Sequence, residues 1–311
     1  MINYSIIIPH KNIPLLLQRC LDSIPRREDM QIIVVDDNSD TNKVDFAAFP
    51  GLNDPFVEVI FGKNEDGRKG AGYARNLGME RAKGKWLVFA DADDYFMPCF
   101  NEALDKYKED ENEIIYFYVT SVNSDTLAPC DRDITRNTQL DIIQKTNNWD
   151  IVYYVYSPWG KFIKRELVVK NTILFQEVQY ANDAFFSMNV AYNTTQRMIS
   201  NYKIYCITFR SDSLEQVATV DSKIIRFHVF YDIVNFFKSS GKNEYLISYT
   251  IILWLSILRN DKKKALQLFG KLVKTCGIAP VLKYSIVYFI RLKITVPLKS
   301  FLLKTPQTTP E

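Results

Sequence analysis

Two carboxylates, Asp91 and Asp93, stand two residues apart in the run Asp91-Ala92-Asp93-Asp94, directly after the apolar segment Trp86 to Ala90. Carboxylate oxygens at that spacing can hold a hard divalent cation, and a cation so held can bridge a diphosphate. Alone, a short acidic cluster is more often a solvated turn. A second acidic turn, Asp36-Asp37-Asn38-Ser39, closes another apolar run, Gln31 to Val35. Two acidic turns, each ending a buried strand, are harder to assign to chance. Asp36 can equally cap its own turn, and Asp94 reads as a cap or a support for its neighbours. The chain has 2 histidines, His10 and His228, and 5 scattered cysteines (Cys20, Cys99, Cys130, Cys206, Cys276) without a CxxC pair. Any metal is therefore expected on oxygen ligands, which favours Mg²⁺ or Mn²⁺ over zinc, and no disulfide framework is expected.

The elements that must position these residues follow from pattern. Ser5 to Ile8 reads as a buried strand, and Asn12, Pro14, Leu17, Cys20, Leu21 and Ile24 carry the start and the apolar face of a helix. A third strand is expected at Phe56 to Phe61, then a glycine-containing loop from Gly62 to Gly72 and a helix with Ala74, Leu77, Gly78 and Ala82 on one face. Strands alternating with helices imply an α/β fold with a mostly parallel sheet flanked by helices, which binds ligands at the carboxyl ends of its strands. Pro9, Asp36, Asp37, Asp91 and Asp93 fall at such ends and are expected to converge.

Farther along, Ile114 to Val119 reads as a strand, whereas 122–150 offers no motif. Pro158-Trp159-Gly160-Lys161, a helix after Lys164, the segment Ile173 to Phe175, a helix from about Asn182 to Tyr192 and a strand at Ile204 to Phe209 follow, leading into Arg210-Ser211-Asp212-Ser213. Gly70-x-Gly72-x-x-Arg75 lacks the third glycine of a dinucleotide fingerprint and does not directly follow a strand. No GxxxxGK[ST] occurs, and no nucleophilic triad is supported.

The segments SIIIPHKN, IIVVDDNSD, GAGYARNLGMERAKGKWLVFADADD, PWGKFIKREL and NDAFF, in this order, resemble the inverting glycosyltransferases of family 2 with the GT-A fold. The likeness covers 4–98 most closely and 157–213 less so. It implies a metal-dependent transfer of a sugar from a nucleotide-diphosphate donor to a hydroxyl. By that resemblance Pro9 and Asp37 contact the nucleobase, Arg75 is the arginine of the ARN motif on the donor side, Asp91 faces the ribose and Asp93 binds the metal. Asp183 matches the general base, although the preceding Asn182 departs from the family's usual Glu, and Asp183 can also simply begin a helix. Trp159 and Lys161 match an acceptor-side segment, with a core Trp as the plainer alternative. Arg210, with Ser213, matches a basic loop that approaches the diphosphate, with a solvated turn as the alternative.

Charge divides the chain of 311 residues. Lys and Arg against Asp and Glu give 24 minus 32, or −8, over 1–221, and 15 minus 4, or +11, over 222–311. The expected division is a catalytic domain over 1–221 and a basic amphipathic helical region over 222–311. Tyr245 to Leu258 is an uncharged run of 14 residues, too short for the ~20 that a bilayer crossing takes. Residues 262–304 interleave Lys and Arg with apolar side chains, which suits helices on an anionic membrane surface, or a helical extension packed on the globular body. Nucleic acid is not an expected partner. The start reads as a strand rather than a signal peptide, and a cytoplasmic enzyme, peripheral on the inner face of the cell membrane, is expected. Its acceptor would be a glycan or lipid-linked glycan, in polysaccharide or surface-glycan biosynthesis. The alternatives are a nucleotidyltransferase, whose Gly- and Arg-rich loop Pro9-His10-Lys11-Asn12 does not match, and a non-catalytic nucleotide-sugar-binding scaffold.

Overall fold

A computed structural model describes residues 1–62, 70–211, 213, 217–241, 247–283 and 285–286. The chain divides after Val217 into two compact units. The interior of the expected glycine-containing loop, Asp212 and the end of the basic region from 287 lie outside the described residues.

In the first unit β1 (Tyr4–His10), β2 (Met30–Asp36), β3 (Val57–Phe61), β4 (Trp86–Phe89), β5 (Tyr95–Phe96), β6 (Ile114–Asn123), β7 (Lys161–Lys164) and β8 (Arg197–Phe209) form one sheet, ordered β3-β2-β1-β4-β7-β6-β8-β5. β1, β2 and β4 are near-continuous apolar runs, as strands covered on both faces must be. β1 lies parallel to both β2 and β4, with His10 beside Asp36 and Ile7 beside Phe89. Three carboxyl ends, and the acidic turns that follow two of them, therefore emerge along one edge of the sheet.

The sheet is mixed. Four neighbouring pairs are parallel (β1·β2, β1·β4, β2·β3, β6·β8) and three antiparallel (β4·β7, β6·β7, β5·β8). The antiparallel pairs come from β5 and β7, whose sequences YF and KFIK are too short to show a strand period. β8 starts at Arg197 rather than Ile204, because its polar first half pairs with β6 through a bulge. Residues 122–150, unread from sequence, contain the end of β6 and a helix.

The helices of this unit are α1 (Pro14–Asp22), α2 (Ala71–Arg81), α3 (Phe100–Tyr107), α4 (Ile134–Thr146), α5 (Arg165–Lys170) and α6 (Ala184–Asn193). Pro14 opens α1 where a missing N–H loses no bond, and Leu17, Cys20 and Leu21 are buried. α2 packs on β1 and β2. Two aromatic groups stiffen the interior. Phe117 and Phe162 lie 4.5 Å apart, with Phe100 6.1 Å from Phe162. Phe175 and Phe186 stack at 3.8 Å, and Phe89 meets both edge-on.

The second unit contains α7 (Val220–Ser239), α8 (Ile247–Leu258) and α9 (Lys262–Cys276). α8 carries most of the uncharged run and buries Ile251, Leu253, Leu255 and Ile257. α9 lays Ala265, Leu268 and Leu272 inward, and Trp254 Nε1 donates to the Ala265 carbonyl at 2.9 Å. Much of the apolar face expected to meet a membrane is thus used inside the unit. Among the described residues no helix is long and apolar enough to cross a membrane.

Candidate active site

At the end of β1 the chain turns through Asn12, whose φ of +62° lies in the left-handed region that Asn adopts more readily than most residues. His10 Nδ1 stands 2.8 Å from Asp36 Oδ1, and the Ile13 backbone N–H donates to His10 Nε2 at 3.1 Å. Nε2 is therefore the acceptor and Nδ1 carries the proton, which fixes the tautomer of a neutral imidazole. Asp36 also accepts from the Ser39 backbone N–H at 2.9 Å and the Ser39 hydroxyl at 2.6 Å. Burial works to raise the Asp36 pKa, but the hydrogen bonds from His10 and Ser39 outweigh it and hold the carboxyl below its ordinary value. Asp36 is thus the fastener of the turn. Its neighbour Asp37 reaches across to Gly70, whose N–H lies 3.0 Å from each carboxylate oxygen, and Lys11 Nζ lies 3.3 Å away. Pro9 is buried in β1 opposite Val35.

The second acidic turn leaves β4 and is held from three sides. Asp94, fully within the protein, accepts the Thr208 backbone N–H at 2.7 Å. The Asp93 carbonyl accepts from the Thr208 hydroxyl at 2.7 Å and from Arg19 Nη2 at 2.5 Å, which ties the turn to β8 and α1. The Asp91 N–H donates to the Tyr205 hydroxyl at 2.8 Å. So braced, the turn presents Asp91 and Asp93 together. Arg210 Nε donates to Asp93 Oδ2 at 3.1 Å. Desolvation and the charge of Asp91 raise the Asp93 pKa, and Arg210 only partly opposes them. Asp94 is pushed well up by burial and by the charges of Asp93 and Asp91.

A bound cation would relieve that crowding of like charge, and in this respect Asp91 and Asp93 fit a hard divalent ion. Among the described residues no group of three or more His, Cys, Asp or Glu is placed to hold a metal. The remaining ligands would have to come from a diphosphate and water, as is usual for Mg²⁺.

Arg75, on α2, joins this turn to the start of α6. Its Nη2 donates to Asp91 Oδ1 at 2.5 Å and its Nη1 to Asn182 Oδ1 at 2.7 Å, while the guanidinium lies over the Phe175 ring at 5.2 Å. Next to it, Asn76 takes the Phe175 N–H at 2.9 Å and gives to the Phe175 carbonyl at 3.0 Å. Gly72 makes this approach possible, since a Cβ there would stand 2.1 Å from the Gln176 carbonyl oxygen. Segment 175–183 is thereby pinned to α2, and Asp183 follows at the N-terminus of α6 with no side-chain cap bond. Burial raises the Asp183 pKa, with Asp91 adding to the rise and Arg75 and Lys161 opposing it. A carboxylate with a raised pKa is a stronger base than an ordinary one.

Trp159 stacks on Tyr205 with centroids 5.7 Å apart at 15°, beside the tyrosine that holds Asp91. Lys161, expected at the acceptor, lies in the interior. It is 1% exposed, its ammonium donates to the Val155 carbonyl at 2.8 Å, and it lies over the Tyr116 ring. It begins β7, whose first three residues are all buried, so either face of the strand lies in the interior.

Asp91, Asp93, Arg75 and Arg210 thus form one charged group, with Asp183 close enough for its charge to be felt. Pro9 and Asp37 stand at the neighbouring strand ends. Three residues that hold these turns and segment 175–183 in place were not read from sequence: Arg19, Asn76 and Tyr205. Asn76 alone carried a signal, as the last letter of ARN.

A sheet with acidic turns at the carboxyl ends of its parallel strands is an α/β fold of the kind that takes its ligand there. Residues 5–170, just over half of the chain, match the model of glycosyl transferase family 2, and the chain belongs to that family. The uncharacterized glycosyltransferase EpsJ of Bacillus subtilis (strain 168) is 25% identical over 223 residues, which are 68% of this chain and 63% of EpsJ. This chain thus spans just under two thirds of that relative's length. S. aureus TarS 1–349, solved in complex with UDP-GlcNAc, superposes with a TM-score of 0.59 at 17% identity, over 89% of this chain and 90% of that one. The mannosyltransferase PcManGT of Pyrobaculum calidifontis, solved with GDP-Man and Mn²⁺, superposes with a TM-score of 0.53 at 15% identity, over 96% and 82%. The fold is therefore the GT-A type that the sequence resemblance implied.

Proposed function

We propose that this chain transfers one sugar, with inversion, from a nucleotide-diphosphate donor to a hydroxyl of a glycan or lipid-linked glycan, in polysaccharide or surface-glycan biosynthesis. The observation that carries the reading is Arg75, which bonds Asp91 of the donor-side turn and Asn182, the residue before Asp183, at once. Donor and acceptor chemistry thereby share one anchor. Family membership supports glycosyl transfer, and similar folds have been solved with UDP-GlcNAc and with GDP-Man.

In this reading Pro9 and Asp37 meet the nucleobase, and Asp91 meets the ribose. Asp93 holds Mn²⁺ or Mg²⁺, which when bound neutralises charge on the departing diphosphate. Arg75 and Arg210 add fixed positive charge on the donor side. Asp183 takes the proton from the acceptor hydroxyl as its oxygen bonds to the anomeric carbon, and the nucleotide diphosphate leaves with the electron pair of the broken C–O bond. A single displacement of this kind inverts the anomeric centre.

We further propose that 1–221 is the catalytic domain and that 222–311 seats the enzyme on the inner, cytoplasmic face of the cell membrane. Residues 262–304 carry Lys and Arg and no Asp or Glu. Ile278, Leu282 and Ile286, four apart, are 56%, 49% and 58% exposed beside that charge. Cations near an anionic bilayer contribute ~1 kcal/mol each.

The test is thermal unfolding with UDP-GlcNAc, UDP-glucose and GDP-mannose, each with and without Mn²⁺, followed by assay of nucleotide diphosphate release. A ligand that binds only the native state raises the midpoint. A metal-dependent rise with at least one donor, together with turnover, is expected. Binding without release under any acceptor or in water would favour the scaffold, and release of pyrophosphate would favour a nucleotidyltransferase.

A further inference from the structure

We propose that Arg136 is a positioning residue for the acceptor: its guanidinium fixes segment 157–160 and the plane of Trp159 where a sugar ring would pack. The inference rests on the proposed glycosyl transfer and on the resemblance that puts Trp159 on the acceptor side.

Arg136 lies on α4, 6% exposed. Its Nη1 donates to the Phe117 carbonyl at 2.5 Å, its Nη2 to the Gly160 carbonyl at 2.7 Å and its Nε to the Ser157 hydroxyl at 3.2 Å. Its plane also lies over the Trp159 ring, 5.5 Å from the centroid. One side chain thus grips both ends of 157–160, the Phe117 carbonyl of β6 beside them, and the ring between. Burial lowers its pKa to about 10, still above neutrality, so the group is a cation in the interior.

Among the described residues no carboxylate lies within ion-pairing distance of Arg136. A buried cation facing only neutral oxygens is a poor source of stability, because desolvation is offset only in part. What the guanidinium does supply is direction. Its rigid fork sets three donors in one plane, and that plane stacks on an aromatic face, neither of which an ammonium can reproduce.

Gly160 is shaped to the same contact. Its φ is +65°, and a Cβ would stand 2.8 Å from Arg136 Nη2 and 2.9 Å from Val119 Cγ1. From Trp159 the order continues to Tyr205, on which it stacks, and from the Tyr205 hydroxyl to the Asp91 N–H. Arg136 therefore sets the ring that touches the acceptor in register with the turn that holds the donor.

The experiment uses the full chain labelled with 5-fluorotryptophan. Its 4 tryptophans give separate ¹⁹F resonances, and W159F identifies the one of interest. In R136K and R136M the Trp159 resonance should shift and broaden while the other three hold their positions. G160A should disturb the same resonance from the opposite partner, and it serves if R136M does not fold.

Transfer is measured with UDP-GlcNAc or GDP-mannose, whichever turns over, and the alkyl glycoside that the wild-type chain accepts best. R136K should raise the acceptor KM about tenfold and leave the donor KM within about twofold, a split that general destabilisation does not produce. Placed on W159A, R136K should add no further loss, because its effect passes through the ring. An unmoved Trp159 resonance in R136M and R136K, or equal losses on donor and acceptor, overturns the proposal. A W159A enzyme with wild-type acceptor KM overturns the acceptor reading of Trp159 itself, and the resonance still reports separately whether Arg136 holds the ring.

Discussion

Arg210 Nε lies 3.1 Å from Asp93 Oδ2, so the carboxylate assigned to the metal is already engaged by a cation from the end of β8. The two side chains are 20% and 22% exposed, and solvent screens their attraction. Metal and arginine compete for one oxygen. R210M should therefore bind Mn²⁺ a few-fold more tightly in the absence of donor, as removal of a pair worth ~1 kcal/mol allows. Turnover should instead fall about tenfold or more, since a cation facing the diphosphate is lost. Mn²⁺ titration followed by electron paramagnetic resonance reads the first effect, and weaker binding in R210M would rule out competition.

Asp183 should separate binding from chemistry. D183N is expected to keep donor affinity within about twofold and to lose transfer by about 10²–10⁴-fold. Because burial first, and Asp91 second, raise the Asp183 pKa, the acid limb of kcat/KM should lie above the ordinary carboxylate range. The base works ionised, so activity falls as pH drops through that raised value. A profile flat down to pH 4, or D183N losing donor binding while folded, would make Asp183 a structural residue.

The Asp36 fastener should show itself in acid. Its folded pKa is depressed below the unfolded one, so its stabilisation is present above the unfolded value near ~4 and is lost as pH falls through the folded value. D36N should cost roughly 2 kcal/mol at pH 7, for a buried charged hydrogen-bond acceptor replaced by a neutral one, and flatten the loss of stability between pH 5 and pH 3. Urea melts across that range measure both. Equal acid sensitivity in D36N would place the titration elsewhere.

Gly72 should be intolerant of a methyl group. The obstructing atom is the Gln176 carbonyl oxygen, part of the main chain, so relief requires segment 175–183 to move away from α2. G72A should lose roughly 1–3 kcal/mol of stability, in the range of overpacked cores. It should also lower transfer more than donor binding, since the displaced segment leads to Asp183. Calorimetry with donor titration distinguishes this from a general loss of fold.

Full-length protein should sediment with vesicles containing phosphatidylglycerol at low salt and be partly released at 0.5 M salt, where screening shortens the reach of the lysines. α9 turns Ala265, Leu268 and Leu272 inward and leaves Leu266 exposed, so the electrostatic share should dominate. Absence of sedimentation at low salt would make the second unit an ordinary helical appendage.

Much of the first unit was legible because β1, β2 and β4 are apolar runs, two of which end in acid, and a parallel order aligns those ends. That Asp36 fastens its own turn was one of the readings open to it, and its bonds to His10 and Ser39 show that it does so. The burial of Lys161 was not legible, because a resemblance to an acceptor-side segment says nothing of which way the start of β7 faces. Tyr205 and Arg136 left no signal, because a tyrosine in an apolar strand and an arginine in an unmarked helix look like any others. Their meaning lies in contacts with residues 114 and 24 positions away.

Asn76 holds Phe175 by its main-chain N–H and C=O, so the clamp is blind to whichever side chain stands there. A joint of that kind is a modular coupling. The bonds to the main chain fix the address of residue 175 on α2, and the identity of its ring is set separately, by the stack on Phe186.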